Sequence, residues 1–172
     1  NSCQNCPEDS RLWGRTICDA TTSVDVQERE ILLNFYNALN GRGWKIDDGW
    51  LDLGEDNVCN FHGITCNGNG RVTGISLRNN GLNGLVPAEI FDLPQLQSLN
   101  LESNSIQFEF RGIAGATNLQ NLDLSNTGMS TLTGLSELTL LPSLTFLSLA
   151  SNNLNGGIPE TLFSIGNLEE LV

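Results

Sequence analysis

Four stretches of this chain superimpose on one another: Val72-x-x-Ile75-x-Leu77-x-x-Asn80-x-Leu82, Leu96-x-x-Leu99-x-Leu101-x-x-Asn104-x-Ile106, Leu119-x-x-Leu122-x-Leu124-x-x-Thr127-x-Met129 and Leu144-x-x-Leu147-x-Leu149-x-x-Asn152-x-Leu154. They start 24, 23 and 25 residues apart, and a fifth opens at Leu168-x-x-Leu171. A fixed period of this length is the signature of a repeat architecture. Apolar residues in alternation make a short strand with one buried face. The asparagine that follows turns inward, where its amide bonds main-chain groups of a bend that has no regular partner. Stacked coils then share one parallel sheet and one strip of leucine core, each coil touching only its neighbours. Asn-Gly pairs at 40, 67, 69, 80, 83 and 155 fit regularly spaced tight turns.

The pattern resembles the leucine-rich-repeat family, in its plant-type class, which adds L-x-G-x-I-P after the asparagine. Leu82-Asn-Gly84-Leu-Val86-Pro87 and Leu154-Asn-Gly156-Gly-Ile158-Pro159 carry that addition. Glycine there permits close backbone approach, and proline starts a helical turn on the outer side. Repeat two has Phe108 for the glycine and Arg111 for the proline; repeat three has Thr127 for the asparagine and Thr131 for the glycine. The middle of the convex side is therefore expected to be irregular.

Upstream, residues 23–39 place Val24, Ile31, Leu32, Phe35, Tyr36 and Leu39 mainly on one helical face, with Thr22 or Ser23 to cap the start and Gly41 to end it. Gly43-Trp44, Gly49-Trp50-Leu51 and Cys59-x6-Cys66 follow. This run resembles the N-terminal cap of plant and diatom-like leucine-rich-repeat ectodomains, in which a helix and tryptophans cover the first coil and a C-x6-C disulfide staples a strand. The resemblance implies an α/β fold: a right-handed solenoid with a concave parallel sheet and a helical, disulfide-linked cap. It divides the chain into an extension (1–22), a cap (23–71) and four repeats with an incomplete fifth (72–172). Asn67-Gly68-Asn69-Gly70 would turn the stapled strand into the first repeat strand.

The chain has 172 residues, with 20 acids against 8 bases and a net charge of −12. No basic stripe exists, which argues against nucleic acid and against contact with anionic membranes. No apolar run is long enough to span a bilayer. The first residue is Asn1, so a removed leader is expected, and five cysteines crowd into the first 66 residues. Together these favour a secreted chain or the ectodomain of a membrane protein. Cys59 with Cys66 is the expected pair; Cys18 is expected to join Cys3 or Cys6, leaving one over. A zinc reading of Cys59-x-x-His62-x3-Cys66 lacks a fourth ligand. With a single histidine there is no nucleophile–base arrangement, so neither enzymatic activity nor a cofactor is expected. The acidic run from Asp47 to Asp56 does not match a calcium loop.

Function is expected on the concave face. Its outward positions are Gly74, Ser76 and Arg78; Ser98, Asn100 and Glu102; Asn121, Asp123 and Ser125; Phe146, Ser148 and Ala150. Arg78, Asn100, Glu102, Asp123, Ser125, Phe146 and Ser148 are the candidate ligand-binding residues, with Arg78, Glu102 and Asp123 read as one charged column. Phe146 is the large apolar residue of the face, and anchors of binding are often aromatic or arginine. Phe108 and Met129, at the irregular edge, form a second candidate. By resemblance the leading function is non-catalytic recognition of a protein, peptide or polysaccharide, as in receptor-like ectodomains. The alternatives are an adhesive or matrix protein and an inhibitor of wall-degrading glycosidases. The leucine-lined last coil, opening at Leu168 and Leu171, reads as the end of a fragment; alternatively a second copy covers it, making a homodimer.

Overall fold

A computed structural model describes residues 22–51, 57–155, 157 and 159–172, with side chains from residue 26 onward. Cys3, Cys6 and Cys18, the acidic Asp52, Glu55 and Asp56, and Gly156 and Ile158 lie outside the described residues.

Helix α1 (Thr22–Ala38) forms because Leu32, Phe35, Tyr36 and the following Leu39 recur on one face, and all four are buried. It stops differently from the expectation. Asn40, not Gly41, takes the left-handed conformation (φ 56), which asparagine tolerates well. Gly41 is needed for another reason: a Cβ there would lie 2.3 Å from the Tyr36 ring. That ring stacks on Trp50 at 5.7 Å, and Trp44 meets both edge-on. Each indole donates to a carbonyl, Trp44 Nε1 to Leu39 (2.9 Å) and Trp50 Nε1 to His62 (3.0 Å). The Tyr36 hydroxyl donates to Asp47 Oδ2 at 2.9 Å. Burial, and then this bond and the Asp47 charge, push the phenol pKa up to about 12. A second fastening was not visible in the sequence. Glu28, 1 % exposed, accepts from Arg71 Nη2 (2.8 Å) and Nε (3.0 Å) and from the Val72 N–H (3.3 Å). Helix α1 is thereby bound to the start of the first repeat.

The principal sheet runs β1 (Ile64–Cys66), β2 (Val72–Ser76), β4 (Ser98–Asn100), β6 (Asn121–Asp123), β7 (Phe146–Ser148) and β8 (Glu170–Leu171). Strand β1 is antiparallel to β2, and every later pair is parallel. The Cys59–Cys66 disulfide holds β1, as expected. Register aligns Ile75, Leu99, Leu122, Leu147 and Leu171 in one row. The first four are buried and form the centre of the core. A second, two-stranded parallel sheet pairs β3 (Asn83–Leu85) with β5 (Ser105–Gln107). Gly84 (φ 136) starts it against the cap, where a Cβ would lie 2.3 Å from the Ala38 carbonyl oxygen. The convex side is built of 3-10 helices, and those at Ala88–Asp92 and Glu160–Ser164 directly follow Pro87 and Pro159.

Inward asparagines tie coil to coil. Asn104 Oδ1 accepts from the N–H groups of Asn80 and Leu82, each at 3.0 Å, and Nδ2 donates to the carbonyls of Leu77 and Leu101, each at 2.8 Å. Asn152 repeats this against Thr127, Met129, Leu124 and Leu149. Asn80 does it for the cap, with Oδ1 taking the Ile46 N–H and Nδ2 giving to its carbonyl. Thr127 is the exception: its hydroxyl donates to Leu124 of its own coil at 2.8 Å, and only its main-chain carbonyl meets the preceding coil, at Ile106 N (3.2 Å).

The middle is irregular in a definite way. Ile106 bonds Thr127, but Phe110 N–H reaches Thr133 O at 2.8 Å. Four steps along one coil thus match six along the next, and Ser130 and Thr131 of the longer segment are exposed. Phe108 and Met129 are consequently core residues, each 4 % exposed, and not a second surface site. Strand alternation continues past β5, so Ile106, Phe108 and Phe110 point in while Ser105, Gln107 and Glu109 point out. Phe108 packs edge-on against Phe91 (5.9 Å) and Phe110 (5.2 Å).

Candidate functional site: the concave face

The strands set the concave side chains in rows across the coils. One row is Gly74, Ser98, Asn121, Phe146 and Glu170; the next is Ser76, Asn100, Asp123 and Ser148. The ladder continues beyond the strands through Asn79 N–H to Glu102 O and Ser103 N–H to Ser125 O. Arg78, Glu102, Ser125 and Ala150 therefore make a third row. The expectation of one charged column is corrected here. Arg78 and Glu102 share a row and form an ion pair at 3.0 Å, with Arg78 well exposed. Asp123 belongs to the neighbouring row, because it precedes its strand leucine whereas Arg78 and Glu102 follow theirs.

Asp123 is half-buried and held by Ser125, whose N–H (3.0 Å) and hydroxyl (2.6 Å) both donate to Oδ1. Its other oxygen faces Asn100 Nδ2 at 3.4 Å. Asn100 Oδ1 accepts from the Glu102 N–H at 3.0 Å. Phe146 is half-buried on the same face. Ser148 contributes little surface, being 5 % exposed. It is a short side chain in a row between Asp123 and the segment that ends at Val172, whose N–H bonds Leu147 O at 3.1 Å. Sequence reasoning passed over Glu170, which faces Phe146 across β7 and β8 and is exposed. The column rule, extended one residue into the partial fifth repeat, finds it.

Cys59 and Cys66 are consumed by their disulfide, so neither offers a thiolate to zinc. At the far end a groove of about 520 Å³ is lined by Leu132, Leu149, Leu154, Leu162, Leu171 and Val172. No helix among the described residues is long and apolar enough to cross a membrane.

Rows of solvent-facing side chains on a capped, parallel-stranded solenoid define the leucine-rich-repeat class. This chain is a leucine-rich-repeat protein of that plant-type, extracellular class: the leucine rich repeat family pattern matches residues 50–106 and again 143–165. It is similar to MDIS1-interacting receptor like kinase 1 of Arabidopsis thaliana, 30% identical over 86% of this chain and 14% of the relative. Phytosulfokine receptor 1 of the same plant is 38% identical over 48% of this chain and 9% of the relative. The chain thus spans about a tenth of the length of these curated relatives. Among solved structures it resembles the Arabidopsis receptor kinase HAESA in complex with the peptide hormone IDA and the co-receptor SERK1 (TM-score 0.75, 30% identity, 84% of this chain and 24% of that one). It also resembles pollen receptor kinase 3 (TM-score 0.70, 28% identity, 83% of this chain and 68% of that one).

Proposed function

We propose that the segment is a non-catalytic recognition module that binds a peptide or protein ligand on its concave face, in the manner of a receptor ectodomain. The observation that carries this reading is the middle of that face. Asn100 and Asp123 stand side by side in register, Phe146 lies in the neighbouring row on the next strand, and all three are on one sheet face with polar atoms that the core does not use. A rigid scaffold lowers the ordering cost of binding, and a half-exposed aromatic among oriented polar groups is the composition of an interface anchor. The resemblance to a receptor kinase solved with a peptide hormone and a co-receptor points the same way. The test is hydrogen exchange of the 172-residue chain with peptides selected against it. Protection should concentrate in β4, β6 and β7, and Phe146→Ala should weaken binding about tenfold or more. Protection confined to the convex 3-10 helices would refute the reading.

A further inference from the structure

The concave face is divided in charge. Towards the cap, its cation Arg78 is matched by Glu102 at 3.0 Å. Towards the far end, Asp123 and Glu170 have no cationic partner among the described residues. The sequence leaves little to supply one. Beyond Arg78 it holds nine acids and one base, Arg111, which stands 3.8 Å from Glu109 at the opposite edge of the coil.

Phe146 lies within this unmatched half. Register puts it directly beside Glu170 on one side and Asn121 on the other. Asp123 is one strand over and two residues along, about 8 Å between Cα atoms from strand spacing and rise. Ser125 holds the Asp123 carboxylate through Oδ1, so its orientation is fixed while Oδ2 keeps only a 3.4 Å contact with Asn100. The ring and the two carboxylates therefore present an aromatic surface with negative charge on both flanks.

Different ligands would use this arrangement differently. An acidic ligand would meet two unscreened carboxylates. A neutral glycan would stack on the ring and leave both charges uncompensated. A guanidinium or ammonium group uses all three, lying over the ring quadrupole and donating to the carboxylates. We propose that the far half of the concave face is a subsite for a basic side chain, arginine or lysine, of a peptide ligand. The subsite rests on the reading of the concave face as the recognition surface. Arg78, already paired, sets the opposite end, where an acidic or neutral residue of the same peptide is tolerated.

The test uses random twelve-residue peptides displayed on phage and selected against the 172-residue chain, then synthesised and measured at two salt concentrations. The expected result is an arginine or lysine at a fixed place in the selected peptides. Affinity should fall about tenfold in Asp123→Asn and in Phe146→Leu, in line with loss of a charge-assisted bond or a cation–ring contact, and should fall with rising salt. Asp123→Asn keeps the oxygen that Ser125 uses, and Glu170→Gln sits at an exposed position, so both variants retain the fold. Glu89→Gln, on the convex side, should change nothing. Peptides that lose affinity in Phe146→Leu and Asn100→Ala, yet lack a basic residue and ignore Asp123→Asn and Glu170→Gln, would overturn the subsite and leave the concave reading standing. Peptides indifferent to all four changes, or no selected peptides at all, would overturn both.

Discussion

The junction between repeats one and two and the junction between repeats two and three use the same leucines but different polar chemistry. In the first, Asn104 spans the coils with two accepted bonds and one donated bond of 2.8–3.0 Å, donates also to Leu101 of its own coil, and β3 pairs with β5 on the outer side. In the second, Thr127 offers one hydroxyl to its own coil, and no strand among the described residues pairs with the far side of β5. The leucine row Ile75, Leu99, Leu122, Leu147 continues through both without a change of register. Apolar stacking sets the coil, and the asparagine rung adds polar closure that one junction does without, because aromatic packing by Phe91, Phe108 and Phe110 fills the neighbouring space.

The sharpest way to break this contrast is Asn104→Ala. It strands two buried N–H groups and removes donors from two buried carbonyls, and should cost about 4 kcal/mol in chemical denaturation. Gly84→Ala attacks the same junction from the cap side. Its Cβ would sit 2.3 Å from the Ala38 oxygen at a φ of 136 that alanine avoids, so a loss of about 3 kcal/mol is expected by thermal unfolding. Thr127→Val tests the weaker junction. It deletes one buried hydroxyl, which donates to Leu124 O and also meets Asn152 Oδ1 of the following coil at 3.1 Å, and about 1 kcal/mol should be lost. A value near that of Asn104→Ala would show that the two rungs are equivalent after all. Smallest of all is Arg78→Met on the concave surface. Removing an exposed ion pair should shift stability by less than about 0.5 kcal/mol, measurable as a Tm change near the error of the method.

The same contrast explains what the sequence disclosed. The strand positions, the buried asparagines and the Pro87 and Pro159 turns follow from a pattern repeated every 23 to 25 residues, and repetition makes local errors visible; the Cys59–Cys66 pair followed from the resemblance of the cap. Repeats two and three broke the pattern, and there sequence reasoning misplaced residues. Phe108 and Met129 looked like edge residues because they lie where the glycine motif fails, although the alternation from Ile106 to Phe110 already pointed them inward. Asp123 was assigned to the wrong column by its charge, not by its place relative to Leu124. Glu28 was illegible for a different reason: its partner Arg71 is 43 residues away in another kind of element, and no period links them. Of the candidate site, the rows were legible and the pairings within them were not. Hydrogen bonds such as Ser125 to Asp123 depend on side-chain rotamers that spacing does not specify.

Tyr36 makes the cap observable by eye of a spectrometer. It is the only tyrosine in the chain, so the phenolate absorbance reports one position under the helix–tryptophan cluster. Its folded pKa is raised, to about 12, from about 10 in an unfolded chain. The sign follows: what the protonated hydroxyl contributes is complete below pH 10 and is lost as pH rises through about 12. A single absorbance step near 12 would mean a closed cap, and a step near 10 would mean that the helix had already lifted from the first coil.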